Sequence, residues 1–173
     1  QTNANGLQTP ITQHISLGIG PLALPEILDR SGIVSYKNEN ELNVAGYHIW
    51  AGDLHETFIR VLTDSLSNQL DLDSVWSFPW DNRNRPKYQL RVIVEEFSGK
   101  LGGKVMLRAK WTILDDYGRS ELITRRSKLQ ASTAGGGYSN YVGALNQLLE
   151  DFSLEIAEQI SSTMRAAEAD GDN

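Results

Sequence analysis

Leu17-Gly18-Ile19-Gly20-Pro21-Leu22-Ala23-Leu24-Pro25-Glu26-Ile27-Leu28-Asp29-Arg30 sets the fold of this chain. Ile15, Leu17 and Ile19 alternate with His14, Ser16 and Gly18, the spacing of a half-buried strand. Gly20-Pro21 predicts the strand's exit, and Pro25 opens one short helical turn. Ile33-Val34 begins a return strand, and Trp50-Ala51 lies further on. Nothing in this stretch has the makings of a catalytic centre, so it reads as a structural or docking element.

Downstream, Ile33 to Tyr36 and Asn43 to Trp50 read as two strands around the polar turn Lys37-Asn38-Glu39-Asn40. Leu54, Phe58, Val61, Leu62, Leu66 and Leu70 then form the stripe of an amphipathic helix. Asp53 and Glu56 supply a start resembling a capping box, and the helix is expected to end near Gln69-Leu70. A short strand over 75–78 leads into the polar loop Asp81 to Pro86. Tyr88, Leu90, Val92 and Val94 alternate with Gln89, Arg91, Ile93 and Glu95, and Val105, Leu107, Ala109, Trp111 and Ile113 alternate with Lys104, Met106, Arg108, Lys110 and Thr112. A third alternating stretch runs from Glu121 to Leu129, and the three predict an antiparallel meander with one wet face.

After Ala134-Gly135-Gly136-Gly137, a second long helix carries Tyr141, Leu145, Leu148, Leu149, Phe152, Ile156 and Ile160, capped by Ser139 or Asn140. The fold class is therefore α+β, a mainly antiparallel sheet covered on one face by two long helices. Residues 1–13 are expected to be a flexible leader, 14–165 a single globular domain and 166–173 a frayed tail.

Composition narrows the function. The chain has 173 residues and 40% hydrophobic content, enough for one sizeable core. Sixteen Lys and Arg against 22 Asp and Glu give a net charge of −6, so no general field favours nucleic acid. No run approaches the roughly 18 apolar residues of a membrane-spanning helix. With no cysteine, disulfides, thiolate metal sites and Cys nucleophiles are excluded from this sequence.

Catalytic, cofactor and metal motifs are not found. His14, His48 and His55 lack a zinc-binding spacing. Gly18-x-Gly20 follows a strand as a dinucleotide loop would, yet Pro21 and Pro25 disrupt the helix that must hold a pyrophosphate. A tight strand exit is the simpler reading. Gly135-Gly136-Gly137 lacks the Lys and Ser/Thr of a phosphate loop. Glu95-Glu96 point to opposite faces of a strand, and Asp115-Asp116 head a turn, so neither forms a working carboxylate pair.

Two sets of residues stand out as surfaces. Arg83, Arg85 and Lys87 in a loop, and Arg125 and Arg126 in a strand, face either solvent or an anionic partner or lipid headgroup. Trp111 alternates with core positions and is expected to be buried, whereas Trp80 sits in a Pro-Trp corner. There it either plugs the sheet edge or meets a partner alongside Arg83 and Arg85.

The order of these elements resembles the ABC-transport auxiliary lipoprotein family. The resemblance rests on Gly18-x-Gly20-Pro21, on Leu24-Pro25-x-x-Leu28-Asp29-Arg30, on the following Ile33-Val34 and on Trp50-Ala51 before an amphipathic helix. Pro79-Trp80, Phe97 and Trp111 fall where the family pattern places them, and the match extends over about residues 14–130. The chain departs from the usual pattern at Ser31-Gly32, in place of Pro, and at Gly52-Asp53, in place of Glu-Pro.

The resemblance implies a non-enzymatic periplasmic subunit of an MCE-type lipid-transport system. It would be anchored to the outer membrane by a lipidated N-terminal Cys ahead of the polar leader, dock an MCE-domain protein and self-associate as a homo-oligomer. An alternative is a periplasmic lipid-binding carrier with its cavity between sheet and helices. Within the turn, Leu24 and Leu28 are expected to pack inward, with Arg30 bonding to backbone carbonyls.

Overall fold

Alternating apolar residues build three long strands, β5 (Tyr88–Lys100), β6 (Lys104–Asp115) and β7 (Ser120–Ser132), which pair antiparallel in sequence order. The structure is a computed structural model and describes residues 16–26, 34–38, 41–44, 54–70, 72, 74–100, 102–133 and 135–171. The remaining elements are β1 (Ser16–Ala23), β2 (Val34–Asn38), β3 (Glu41–Val44), α1 (Leu54–Leu70), β4 (Ser74–Ser77) and α2 (Tyr138–Gly171). A 3-10 turn at Asp116–Gly118 joins β6 to β7, and Asp115 Oδ1 there accepts the Asp116 amide at 2.7 Å.

The α+β class holds, and the two helices pack on each other and on one face of the sheet. The sheet is mixed rather than mainly antiparallel. Its seven strands include the antiparallel β2–β3, β5–β6 and β6–β7 ladders, but β1 runs parallel to both β4 and β5, and β2 runs parallel to β5. The connection through α1 explains the difference. β2, β3 and α1 all lie between β1 and β4, a crossover long enough for the two strands to pair in the same direction. β1 and β2 share one edge of β5, opposite β6, with β1 beside its first half and β2 at its last residues.

Gly20-Pro21 does not end β1, which continues to Ala23. The ladder to β5 instead shifts register between Ile19 and Leu22, a bulge that accommodates a proline with no amide to donate. α1 spans 54–70 as its stripe predicts, burying Leu54, Phe58, Leu62, Leu66 and Leu70. α2 begins one residue ahead of Ser139, its first turn closed by the Tyr141 amide donating to Gly137 O at 3.1 Å. It runs on through residues 166–171, where fraying was expected. Glu168 supplies the reason, because its carboxylate accepts from Lys87 Nζ at 2.8 Å and from the Tyr88 hydroxyl at 2.7 Å.

The layer between sheet and helices is filled. Trp111, Tyr88, Tyr141, Phe58, Phe97 and Phe152 are its largest fully buried side chains, and Phe58 meets Phe97 edge-on with ring centres 4.9 Å apart. Burial of each such side chain contributes about 1.5–3 kcal/mol. Trp111 Nε1 donates to Ser127 Oγ at 2.9 Å, and Ser127 Oγ donates to Glu155 at 3.1 Å, which ties β6 to β7 and β7 to α2. Thus the buried indole's one donor is satisfied.

Candidate functional site

The glycine pair in β1 is where the candidate site is built. Leu17 and Ile19 turn into the core, so Gly18 faces the side of the sheet away from the helices, while Gly20 lies in the bulge between Ile19 and Leu22. A Cβ on Gly18 would lie 2.4 Å from Pro86 Cγ and 2.7 Å from the Trp80 ring, and a Cβ on Gly20 would lie 2.4 Å from Phe78 Cβ. Gly20 also adopts φ +125°, which side chains rarely tolerate. The glycines therefore form a bare track across which Phe78, Trp80 and Pro86 are laid.

Hydrogen bonds lace the segment onto that track at both ends. The Phe78 amide donates to Ile19 O at 2.9 Å, and the Lys87 amide donates to Ser16 Oγ at 2.9 Å. Gln89 Nε2 donates to Gly20 O at 2.8 Å. The Gly20-Pro21 and Phe78-Pro79 peptide bonds are both cis. Phe78 and Trp80 meet edge-on with ring centres 5.2 Å apart.

Between these anchors, residues 81–85 turn outward and bond to themselves. Asp81 Oδ1 accepts the Arg83 amide at 3.0 Å, Asp81 O accepts the Asn84 amide at 3.0 Å, and Arg85 Nη2 donates to Asn82 Oδ1 at 2.7 Å. Such an Asp-led turn holds its shape without core contacts. Trp80 is half-buried, and Arg83 and Arg85 are exposed. Trp80 covers Gly18 and remains partly exposed, three and five residues ahead of the exposed Arg83 and Arg85.

Of the motif residues, the structure brings Gly18 together with Trp80 and Gly20 together with Phe78, links that spacing in the sequence does not disclose. Leu24 is half-buried against the core. Pro25 is half-buried, and Leu28, Asp29, Arg30 and Trp50 lie outside the described residues. Arg125 and Arg126, adjacent in β7, register opposite Trp111 and Lys110 and so occupy opposite faces of the sheet.

On the helix side, Phe78 also closes an open groove of about 480 Å³, lined by Glu56, Ile59, Arg60 and Asp64 of α1 and by Ser77. His55 Nε2 donates to Leu22 O at 2.9 Å at its margin. Among the described residues no group of three or more His, Cys, Asp or Glu could hold a metal ion. Nor is any helix among them long and apolar enough to cross a membrane.

The Lys87, Tyr88 and Glu168 cluster lies at the foot of the same loop, and sequence reading missed it because its partners are 80 residues apart. The bond to Glu168 holds the Lys87 ammonium above its ordinary value. Bonds from Lys87 and Tyr88 hold the Glu168 carboxyl below its own. Burial, with Glu168 beside it, pushes the Tyr88 phenol up. The cluster is a brace between β5 and α2.

The fold and its motif have recognisable relatives. Intermembrane transport lipoprotein PqiC of Escherichia coli K12 is 26% identical over 170 residues, covering 92% of this chain and 88% of that protein. A crystal structure of an uncharacterized protein is 26% identical with a TM-score of 0.73, covering 87% of this chain and 94% of the other. A Xanthomonas campestris protein has a TM-score of 0.78 at 15% identity, covering 95% and 91% of the two chains, a likeness of fold alone. Residues 1–157 match the family described as ABC-type transport auxiliary lipoprotein component, and the chain belongs to that family.

Proposed function

We propose that this chain is a non-enzymatic auxiliary subunit of an intermembrane lipid-transport system, docking an MCE-domain partner at the outer membrane. A lipidated Cys ahead of the polar leader tethers it on the periplasmic side. Membership of the auxiliary lipoprotein family and similarity to PqiC support the transport role. The observation that carries the docking role is the exposed loop bearing Arg83 and Arg85 beside half-buried Trp80, stiffened by its own bonds and laced to β1. A rigid loop with an aromatic ring and two guanidiniums presents the residue types that dominate interface hot spots.

α1 and α2, by contrast, spend their apolar stripes on the core. The carrier alternative needs a cavity between sheet and helices, and that layer is packed with the aromatic rings already described. Self-association belongs to the same proposal, because a subunit with several copies gains avidity for a multimeric partner.

The test is capture of the MCE partner by Arg83→Ala/Arg85→Ala. Exposed loop charges contribute little to folding, so its stability should stay within about 0.5 kcal/mol of wild type. Capture should weaken at low salt, and the difference should shrink at high salt, where screening already suppresses the contact. Undiminished capture at low salt by folded Trp80→Ala/Arg83→Ala/Arg85→Ala would move the docking site elsewhere.

A further inference from the structure

Charge is segregated between the two sides of this domain. α2 carries Glu150, Asp151, Glu155, Glu158, Glu168 and Asp170 against a single basic residue, Arg165. The opposite side, the open face of β5–β7, carries five cations against three carboxylates, Glu95, Glu96 and Glu121, the last bonded to Thr124. Arg91 registers with Thr112 and Thr124, Ile93 with Lys110 and Arg126, and Glu96 with Arg108 and Lys128. Their strand neighbours Val92, Val94, Ala109 and Trp111 are buried beneath the helices, so this set projects the other way. A 3.0 Å bond between the Thr112 and Thr124 hydroxyls places both on that face.

Two of the five cations are paired within the face, Arg108 with Glu96 at 2.8 Å and Arg126 with Glu95 at 3.6 Å, because the bulge between Val94 and Glu96 brings both carboxylates to one face, against the alternation expected from sequence. Among the described residues, no ion pair engages Arg91, Lys110 or Lys128. Ile93 stands among them, 48% exposed.

We propose that this face rests on a phospholipid surface bearing anionic headgroups. On β5–β7 the face carries no aromatic residue at its outward positions, the Trp80 ring lying on the same side of the sheet but over β1, so the strands that carry these cations lack the anchors that a protein interface concentrates at its centre. Spread cations around one aliphatic side chain instead match a headgroup layer whose charges move laterally to meet them. Net charge does not oppose this arrangement, because the acids of α2 lie on the far side of the domain and salt screens charges beyond about 10 Å. The contact would orient the domain with its helices away from the bilayer. It goes beyond the docking reading and involves no MCE protein.

The experiment is flotation of the chain with vesicles of phosphatidylcholine containing ~30% phosphatidylglycerol, at about 50 mM and about 300 mM salt. Binding at low salt should exceed binding to pure phosphatidylcholine about tenfold and fall toward it at high salt. Arg91→Glu/Lys128→Glu should lower binding about tenfold, whereas Glu150→Gln/Glu158→Gln on α2 should change it less than about twofold. Equal binding to neutral vesicles, no binding to anionic ones, or an equally large effect of the α2 variant would overturn the proposal. Absent vesicle binding, together with loss of an acidic protein partner in the Arg91/Lys128 variant, would assign the face to that protein instead.

Discussion

Gly18→Ala is the sharpest perturbation of the segment that crosses β1. The new methyl carbon would sit 2.4 Å from Pro86 Cγ and 2.7 and 2.8 Å from two carbons of the Trp80 ring. Carbon pairs rest at about 3.5–4.0 Å, so both rings must retreat by about 1 Å. Pro86 is buried and has no free space to retreat into, while Trp80 moves only by giving up its edge-on contact with Phe78. Overpacking of this kind costs about 1–3 kcal/mol. For a domain of this length that lowers the melting temperature by about 3–10 °C.

The assay is calorimetric unfolding of wild type, Gly18→Ala, Trp80→Ala and the double variant. Removing the indole removes part of the clash, so the double variant should be more stable than the sum of the two losses predicts by about 1 kcal/mol. Penalties that add within about 0.3 kcal/mol would refute the crossing of Trp80 over Gly18.

The brace and the core give further expectations. Glu168→Gln should destabilise the domain at neutral pH by up to about 1 kcal/mol, a figure reduced for the exposure of both partners. Because the Glu168 pKa is depressed, its contribution is full above the ordinary carboxylate value of 4.5 and is lost as pH falls through the lower folded value. The gap between wild-type and Glu168→Gln melting temperatures should therefore close on acidification, and a pH-independent gap would count against the pairing. The raised Lys87 pKa has the opposite sense, its contribution being full below 10.5 and lost as pH climbs past its folded value. Ser127→Ala should cost about 1–3 kcal/mol by stranding the buried Trp111 donor, visible in denaturant melts as a lower midpoint with an unchanged slope.

Local periodicity reveals the meander and both helices because each writes its burial into adjacent residues. α1 ends at Leu70 and α2 buries Tyr141 through Ile160, as their stripes require. The parallel pairing of β1 is not written locally. It depends on which partner a strand meets after a long crossover, and Leu17 and Ile19 would face the core in either direction. The extension of α2 was hidden for a similar reason. Ala166 to Asp170 are small or acidic and show no apolar stripe, and what docks them, Ala167 against the core and Glu168 on Lys87 and Tyr88, depends on distant residues. The candidate site was half-legible. A Pro-Trp corner beside arginines is visible in sequence, while its dependence on Gly18 and Gly20 is a matter of which segment crosses which strand.

That dependence changes how docking has to be tested. Trp80 packs at the loop's base and is also half of the proposed docking surface, so a loss of partner capture in Trp80→Ala would have two causes that a pull-down alone does not separate. Arg83 and Arg85 are exposed, and the bonds recorded for their guanidinium and amide groups stay within the loop. Alanine at these positions therefore removes surface charge while leaving the Gly18 crossing in place. If the loop is the docking surface, Arg83→Ala/Arg85→Ala loses capture without losing melting temperature, and Trp80→Ala loses both. Should capture instead follow the melting temperature across all three variants, the loop is a structural clasp and the partner reads another part of the domain.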